Sequence, residues 1–484
     1  MCKSIILTYF ATFFVFYFVR FVVSRISSLK LQSFFSEIRQ SARLSLPLIA
    51  SNVVQASSGF LGTLMVAHLG RDYLAANALG ASVYFTLIVF LFGVLSAIGV
   101  LVAQNLGAKN KVGIELAVSQ GFLLALLFAI PMVILVWFAP TLLALSGESH
   151  NIVLLTTQYL HAVIWCIVPL ALLIAMEQFL IGLGYTKFVL WVSLAEVPFE
   201  ILASYVLVFG KFGFPKCGIA GVGYGFCIVF TATAIGLAIF LAKSKACREY
   251  KIFSYIFRVN AKYFQELLRI GWPIGCMYVI EVALLAVLAF LMGKLGSDQL
   301  AAHQIARQYL MLGMMIVFAI SQVATIRIGY AVGRQDKPAV NRAILANLSF
   351  GFCLTALIAI CLMVFAKDFI GLDINIANPQ YVTLIHYAEI FFIFCGFALV
   401  FDTFRFIAIG ALRGLKDTRA PMYISIFTYW FIALPLAYWF GFGLHLGGIG
   451  LWLGLVIGIF VGAVILLLRF KKLSKKVDLQ KLMI

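Results

Sequence analysis

Apolar runs of about 20 residues or more follow one another along nearly the whole chain, and each is long enough to cross a bilayer as a helix. They lie at roughly 4–24, 44–67, 76–104, 115–142, 155–181, 188–209, 218–242, 270–293, 301–330, 343–366, 380–411, 420–441 and 447–468. Lipid offers no hydrogen bonds, so every such segment must satisfy its own backbone as a helix, or all must close into one barrel. None shows the period-two alternation of barrel strands, which leaves helices. Composition agrees: 64% of residues are hydrophobic and 11% charged, with mean hydropathy +1.08. The expectation is an all-α integral membrane protein with twelve core spans and one extra N-terminal hydrophobic helix.

The remaining oddity is charge. Lys and Arg number 36 against 18 Asp and Glu, a formal net charge of +18. In a soluble chain that would suggest nucleic acid, but here topology absorbs it. If the loop before the second run is cytoplasmic, alternation puts 26 basic residues on cytoplasmic segments and 5 on the opposite loops. The C-terminus is then cytoplasmic, and no polyanionic partner is called for. Lys471, Lys472, Lys475 and Lys476 could touch anionic lipid headgroups there. The first run, Ile5–Val23, is followed by Arg25 and Lys30 and lacks a small-residue cleavage site. It suits a signal anchor, or an over-extended start of the gene, better than a removable signal peptide.

The chain also repeats itself at an offset of 226 positions. Arg43 falls on Arg269 and Pro47 on Pro273. Leu69-Gly70-x-Asp72-x-Leu74-Ala75-Ala76 falls on Leu295-Gly296-x-Asp298-x-Leu300-Ala301-Ala302. Gly107 falls on Gly333 and Lys111 on Lys337. Coincident Leu and Ala mean little in so apolar a chain, whereas coincident Gly, Asp and Pro mean a repeat. Six spans per repeat return the chain to its starting side. The two bundles should therefore be related by a pseudo-two-fold axis along the membrane normal, with a cavity between them. The expected segments are an extra hydrophobic stretch with a basic linker at 1–40, a six-helix lobe at 41–243, a basic linker at 244–265, a second lobe at 266–470 and a basic tail at 471–484. Two bundles rocking about a central site is an architecture for transport.

Several stretches carry a family likeness: Ala301-Ala302-His303-Gln304-Ile305-Ala306, Ala411-Leu412-Arg413-Gly414-Leu415-Lys416-Asp417-Thr418, and Gly210-Lys211-Phe212-Gly213-Phe214-Pro215 followed by Gly218-Ile219-Ala220-Gly221-Val222-Gly223. Their order and spacing within twelve spans resemble multidrug and toxic compound extrusion (MATE) transporters of the NorM-like branch, from about residue 40 to 470. The resemblance implies a V-shaped pair of six-helix lobes that export drugs and organic cations in exchange for Na⁺ or H⁺. It also implies a monomer in a bacterial inner membrane, with no cofactor beyond the coupling ion.

Carboxylates inside spans are costly and are functional candidates by default. Glu281 and Asp402 match positions to which the resemblance assigns cation coupling in the C-terminal lobe. Two carboxylates in a low-dielectric pocket can hold Na⁺ through their oxygens, or one can carry a proton, and a bound cationic drug then leaves. The bland alternative for Glu281 is a hydrogen bond to a neighbouring helix. Arg405 lies three residues after Asp402 on the same helical face, so an ion pair is easy, and Arg405 could exchange Asp402 with the coupling ion as a switch. The N-terminal lobe departs from the family pattern. Where relatives read G-F-x-D-T, this chain has Gly59-Phe60-Leu61-Gly62-Thr63. Gln55, the repeat partner of Glu281, is also neutral. In its place Glu196-Val197-Pro198-Phe199-Glu200 puts two acids at i and i+4 on one face, a candidate relocated cation or proton site. The alternative is that these acids bond Lys187, backbone or another helix.

Glu177, near a span end, is expected to reach the cytoplasmic interface. Arg307 and Arg327 could line the cavity or pair with carboxylates. His303 is expected to pack or hydrogen-bond. Pro47, Pro169, Pro198, Pro273 and Pro435 interrupt helices, as static kinks or as gating bends. Met311, Met314 and Met315 would suit a cleft for apolar cations. Nine cysteines form no C-x-x-C pair, and six histidines form no cluster in sequence. No H-E-x-x-H, G-x-S-x-G or phosphate loop occurs, which argues against a membrane-embedded enzyme or an ATPase. A lipid-linked sugar flippase would want a strongly cationic cavity, and the acidic spans argue against that too.

Overall fold

A computed structural model describes residues 31–145, 149–254 and 258–483. The first apolar run lies outside these residues. Twelve long apolar helices follow, in the order the sequence gives them. They are α1 (Leu31–Ala67), α2 (Arg71–Gly107), α3 (Lys111–Leu145), α4 (His150–Gly182), α5 (Thr186–Phe209) and α6 (Ala220–Lys243) in the first half. The second half has α7 (Ala261–Lys294), α8 (Ser297–Gly333), α9 (Lys337–Val364) and α10 (Val382–Gly414). It ends with the composite α11 (Arg419–Gly443) and α12 (Gly448–Lys476).

The repeat in sequence is a repeat in geometry. Both α2 and α8 begin after a glycine with φ of +131° at Gly70 and +121° at Gly296. A side chain would be strained at either, so glycine is required by the turn. Both helices end the same way. Lys109 and Gln335 adopt φ of +56° and +60°. The residues after them then cap the next helix: Asn110 Oδ1 accepts from the Gly113 amide at 3.0 Å, and Asp336 Oδ1 from the Ala339 amide at 2.9 Å.

Four of the five prolines expected to interrupt helices lie inside unbroken helices: Pro47, Pro169, Pro198 and Pro273. Around Pro435 the helix widens instead of breaking, with π-helical turns at Phe427–Ala433 and Trp439–Gly443. A π turn absorbs one extra residue per turn and reorients the side chains it carries.

The halves form two six-helix lobes whose first helices lean outward. α7 packs more on α2 of the other lobe than on any helix of its own, and α1 reaches across to α8 and α9. Small residues allow the approach: a Cβ on Gly275 would lie 2.8 Å from the Phe90 carbonyl oxygen, and one on Gly93 would lie 2.7 Å from the Gly275 Cα. The inter-lobe segment is tied along α3. Lys111 pairs with Glu249 at 2.6 Å, and Ser119 Oγ donates to the Ile252 carbonyl at 2.6 Å.

The lobes meet at the face that carries the basic loops, called here the basic face. There α2 and α8 cross backbone to backbone. A Cβ on Gly107 would overlap the Tyr330 carbonyl oxygen, and a Cβ on Gly333 the Gln104 carbonyl oxygen. Gln104 Nε2 donates to the Gly414 carbonyl at 2.9 Å. Arg327 on α8 makes a two-pronged pair with Glu37 on α1, both bonds 2.7 Å. Among the described residues the cross-lobe hydrogen bonds stop at mid-height, where Asn52 Nδ2 donates to the Met315 carbonyl at 3.1 Å. The structure is therefore closed at the basic face.

The Glu37–Arg327 pair gives the first prediction. Arg327→Glu should weaken the closed face by about 2 kcal/mol, the worth of charge-assisted bonds with little solvent. The purified protein should melt several degrees lower. Glu37→Arg combined with Arg327→Glu should recover the loss, and no recovery would mean that the pair does not link the lobes.

Candidate functional site

The C-lobe acids are brought together by one guanidinium. Arg405 is 1% exposed and Asp402 4%. Arg405 Nε donates to Asp402 Oδ1 at 2.6 Å, and Arg405 Nη2 donates to Glu281 Oε1 at 2.7 Å. Asp402 and Arg405 lie one turn apart on α10, while Glu281 comes from α7. The π segment of α11 presents Tyr429, whose hydroxyl donates to the same Glu281 oxygen at 3.3 Å. Its ring lies 5.0 Å from the guanidinium, and Phe406 stacks from another side at 4.1 Å. Glu281 Oε2 and Arg405 Nη1 are buried without hydrogen-bond partners. The i, i+3 pair expected from sequence is present, and it extends to a triad joining α7, α10 and α11. As for a Na⁺ site on Glu281 and Asp402, one oxygen of each carboxylate already faces Arg405. Among the described residues no group of three or more His, Cys, Asp or Glu side chains is arranged to hold a metal ion.

In the N-lobe a polar seam joins α1 to α5. Ser51 and Ser193 hydroxyls are 2.7 Å apart, and Gln55 Nε2 donates to Ser193 Oγ at 3.0 Å. One turn further, Ser58 Oγ donates to Glu200 Oε2 in a short bond. Ser58 precedes Gly62 by one helical turn, so α5 delivers a carboxylate close to Gly62 on α1. A side chain would fit at Gly62, since its Cβ would meet only Val222 at 3.6 Å and Phe226 at 3.9 Å. Glu196 is 4% exposed, and its Oε1 has no partner. Neither acid forms an ion pair with Lys187 among the described residues.

Other expectations fare differently. Glu177 turns one carboxylate oxygen into the lobe. It is half-buried, with Oε1 enclosed and unpartnered, near enough to Glu196 to interact with it electrostatically. Its helix runs on to Gly182, more than a turn beyond it. His303 is 3% exposed, packs 5.4 Å from Trp452, and neither ring nitrogen finds a hydrogen bond. It is a packing residue. Met314 is part of the core rather than a cleft lining. Arg307 Nε donates to Gln304 Oε1 at 3.2 Å. Sequence reasoning missed that Glu37 pairs with Arg327 and that Arg413 is buried. An arginine within the apolar run Gly410–Leu415 was the only signal for the latter.

Comparison with known proteins settles the family. The MatE family model matches residues 47–206 and again 273–439, two copies whose starts are 226 residues apart. The chain belongs to the MatE family. It is thus a membrane transporter and not an enzyme. It is 31% identical to the "Probable multidrug resistance protein NorM" of Brucella suis biovar 1 (strain 1330), over 90% of this chain and 93% of that one. The protein of the same description from Rhizobium meliloti (strain 1021) is 32% identical, over 92% and 95%. Among solved structures, the eukaryotic MATE transporter AtDTX14 superposes with TM-score 0.81 at 20% identity, covering 93% of this chain and all of that one. A multidrug resistance MATE family transporter of the MOP superfamily in an outward-facing conformation superposes with TM-score 0.82 at 19% identity, over 92% and 97%. The V-shaped two-lobe fold is shared.

Proposed function

We propose that this transporter exports drug-like organic cations by antiport, and that the Glu281–Arg405–Asp402 triad is where the coupling ion acts. The single observation that carries this is Arg405 bonded at once to buried Asp402 and half-buried Glu281. Two carboxylates and one guanidinium sum to one negative charge in a largely buried place. One added cation, H⁺ or Na⁺, balances it. A proton needs only the unpartnered Glu281 Oε2. Sodium needs several oxygens and would have to displace the guanidinium, so the geometry favours H⁺. Neutralising Glu281 weakens its hold on Arg405 and loosens α7, which is also the helix that leans on the other lobe. A local charge change is thereby linked to lobe movement.

Glu196 and Glu200 are the second site of this reading, standing in for the acid absent at Gly62. The unpartnered Glu196 Oε1 and the Ser58-bound Glu200 support it. The basic face is cytoplasmic by the positive-inside rule, which puts the C-terminal tail in the cytoplasm of a bacterial cell. Closure at that face suits the step in which drug leaves outward, and the protein works as a monomer.

Proteoliposomes test the reading. Efflux of a cationic dye should follow an imposed pH gradient and ignore a Na⁺ gradient. Efflux indifferent to both gradients would overturn antiport. Glu281→Gln should abolish gradient-driven efflux, and Glu200→Gln should reduce it by about tenfold, the worth of one charge-assisted bond. Normal transport by either variant removes that residue from the coupling path.

A further inference from the structure

Just above the Gly107–Gly333 crossing, between the lobes, lies a cavity of about 40 Å³. Asn52, Ser96 and Gln178 line it from the first lobe, and Tyr278, Gln322 and Arg413 from the second. Arg413 is 5% exposed, and its Nε and Nη2 have no hydrogen-bond partner. Gln178 is 2% exposed; its Oε1 accepts from Gln322 Nε2 at 3.2 Å, which leaves Nε2 without a partner. Two residues from two lobes that line this small space thus keep three buried donor atoms without a hydrogen-bond partner. Among the described residues no carboxylate lines that space. Among the described residues no ion pair to Arg413 occurs, and its other neighbour is the Tyr278 ring at 5.1 Å.

A guanidinium cannot shed its charge. A buried charge without a counter-charge is costly, and buried donors without acceptors add to the cost. The missing group is thus an acceptor with negative charge. The volume is several times the 10–15 Å³ or so that a water needs, and far below the roughly 300 Å³ of a drug pocket. We propose that the cavity binds one small monovalent anion of chloride type, held by Arg413 Nε and Nη2 and by Gln178 Nε2. Its ligands come from both lobes and converge only when the basic face is closed. The anion therefore favours the closed state and acts as a removable bolt between the lobes.

The test uses the purified full-length chain in detergent. Its melting temperature is measured in sodium chloride, sodium bromide and sodium gluconate at equal ionic strength, so that Na⁺ is constant and cation coupling does not enter. Chloride and bromide should raise the melting temperature saturably and gluconate should not. Gln178→Leu should raise the half-saturating chloride concentration by about tenfold, the effect of losing one bond to an ion. Arg413→Gln should abolish the response. If Arg413→Gln does not fold, Gln178→Leu and bromide anomalous scattering in crystals of the unmodified protein decide the matter. Equal melting in all three salts, an unchanged half-saturation in Gln178→Leu, or a cavity holding only water would each overturn the proposal.

Discussion

Replacing Arg405 with methionine is expected to be the most damaging single change in the molecule. It leaves Glu281 and Asp402 as two carboxylates in a buried pocket with no cation between them. Breaking a buried ion pair by deleting one partner costs about 3–5 kcal/mol, and here one side chain serves two partners. That is a large part of the 5–15 kcal/mol or so by which proteins are stable. The variant should express poorly, melt far below the unmodified protein and transport nothing. The informative experiment is the rescue. Arg405→Met combined with Glu281→Gln and Asp402→Asn removes all the charge together, and it should recover most of the stability with none of the gradient-driven efflux. Stability that stays low in the triple variant would show that packing by the long Arg405 stem matters more than its charge. Efflux that persists would detach coupling from the triad altogether.

The second large effect is expected at Gly333. Any side chain there meets the Gln104 backbone, which cannot turn aside as a flexible side chain would. Overpacking of about 1–3 kcal/mol, placed entirely on the closed state, shifts the balance of lobe positions by about five- to 150-fold. Gly333→Leu should therefore hold the basic face apart. A cysteine introduced at Thr325, in the cavity between the lobes, should label faster from that face, and efflux should fall by a similar factor. Gly236→Ala is the control: a Cβ there meets nothing within 4 Å, and neither labelling nor efflux should change. If Gly333→Leu labels like its parent, the crossing of α2 and α8 is not the seal.

How far the sequence alone reaches is clear from particular residues. Twelve helices were legible because lipid leaves the backbone no other choice, and each run could be judged by itself. The two-lobe repeat was legible because Gly70 and Gly296 answer one backbone demand twice. Asp402 and Arg405 were legible as a pair because helical spacing fixes which neighbours meet. Glu281 was legible only as a costly charge; its bond to Arg405 spans 124 positions, and nothing local encodes that distance. The bond between Glu37 and Arg327 spans 290. The enclosed oxygen of Glu177 was hidden for a related reason, since position along a helix indicates depth in the membrane but not which way the side chain faces. The same holds for Arg413, where an apolar context was visible but the absence of an acid partner was not.

The outward lean of α7 has a consequence for how the molecule is made. A ribosome delivers α1–α6 to the membrane before α7 exists. During that interval the face of α2 around Phe90, Gly93 and Val94 meets lipid instead of Gly271 and Gly275. The first lobe alone therefore leaves an open seat on α2, which Gly271 and Gly275 of α7 fill. In that order of synthesis, α2 offers the second lobe a surface to pack against.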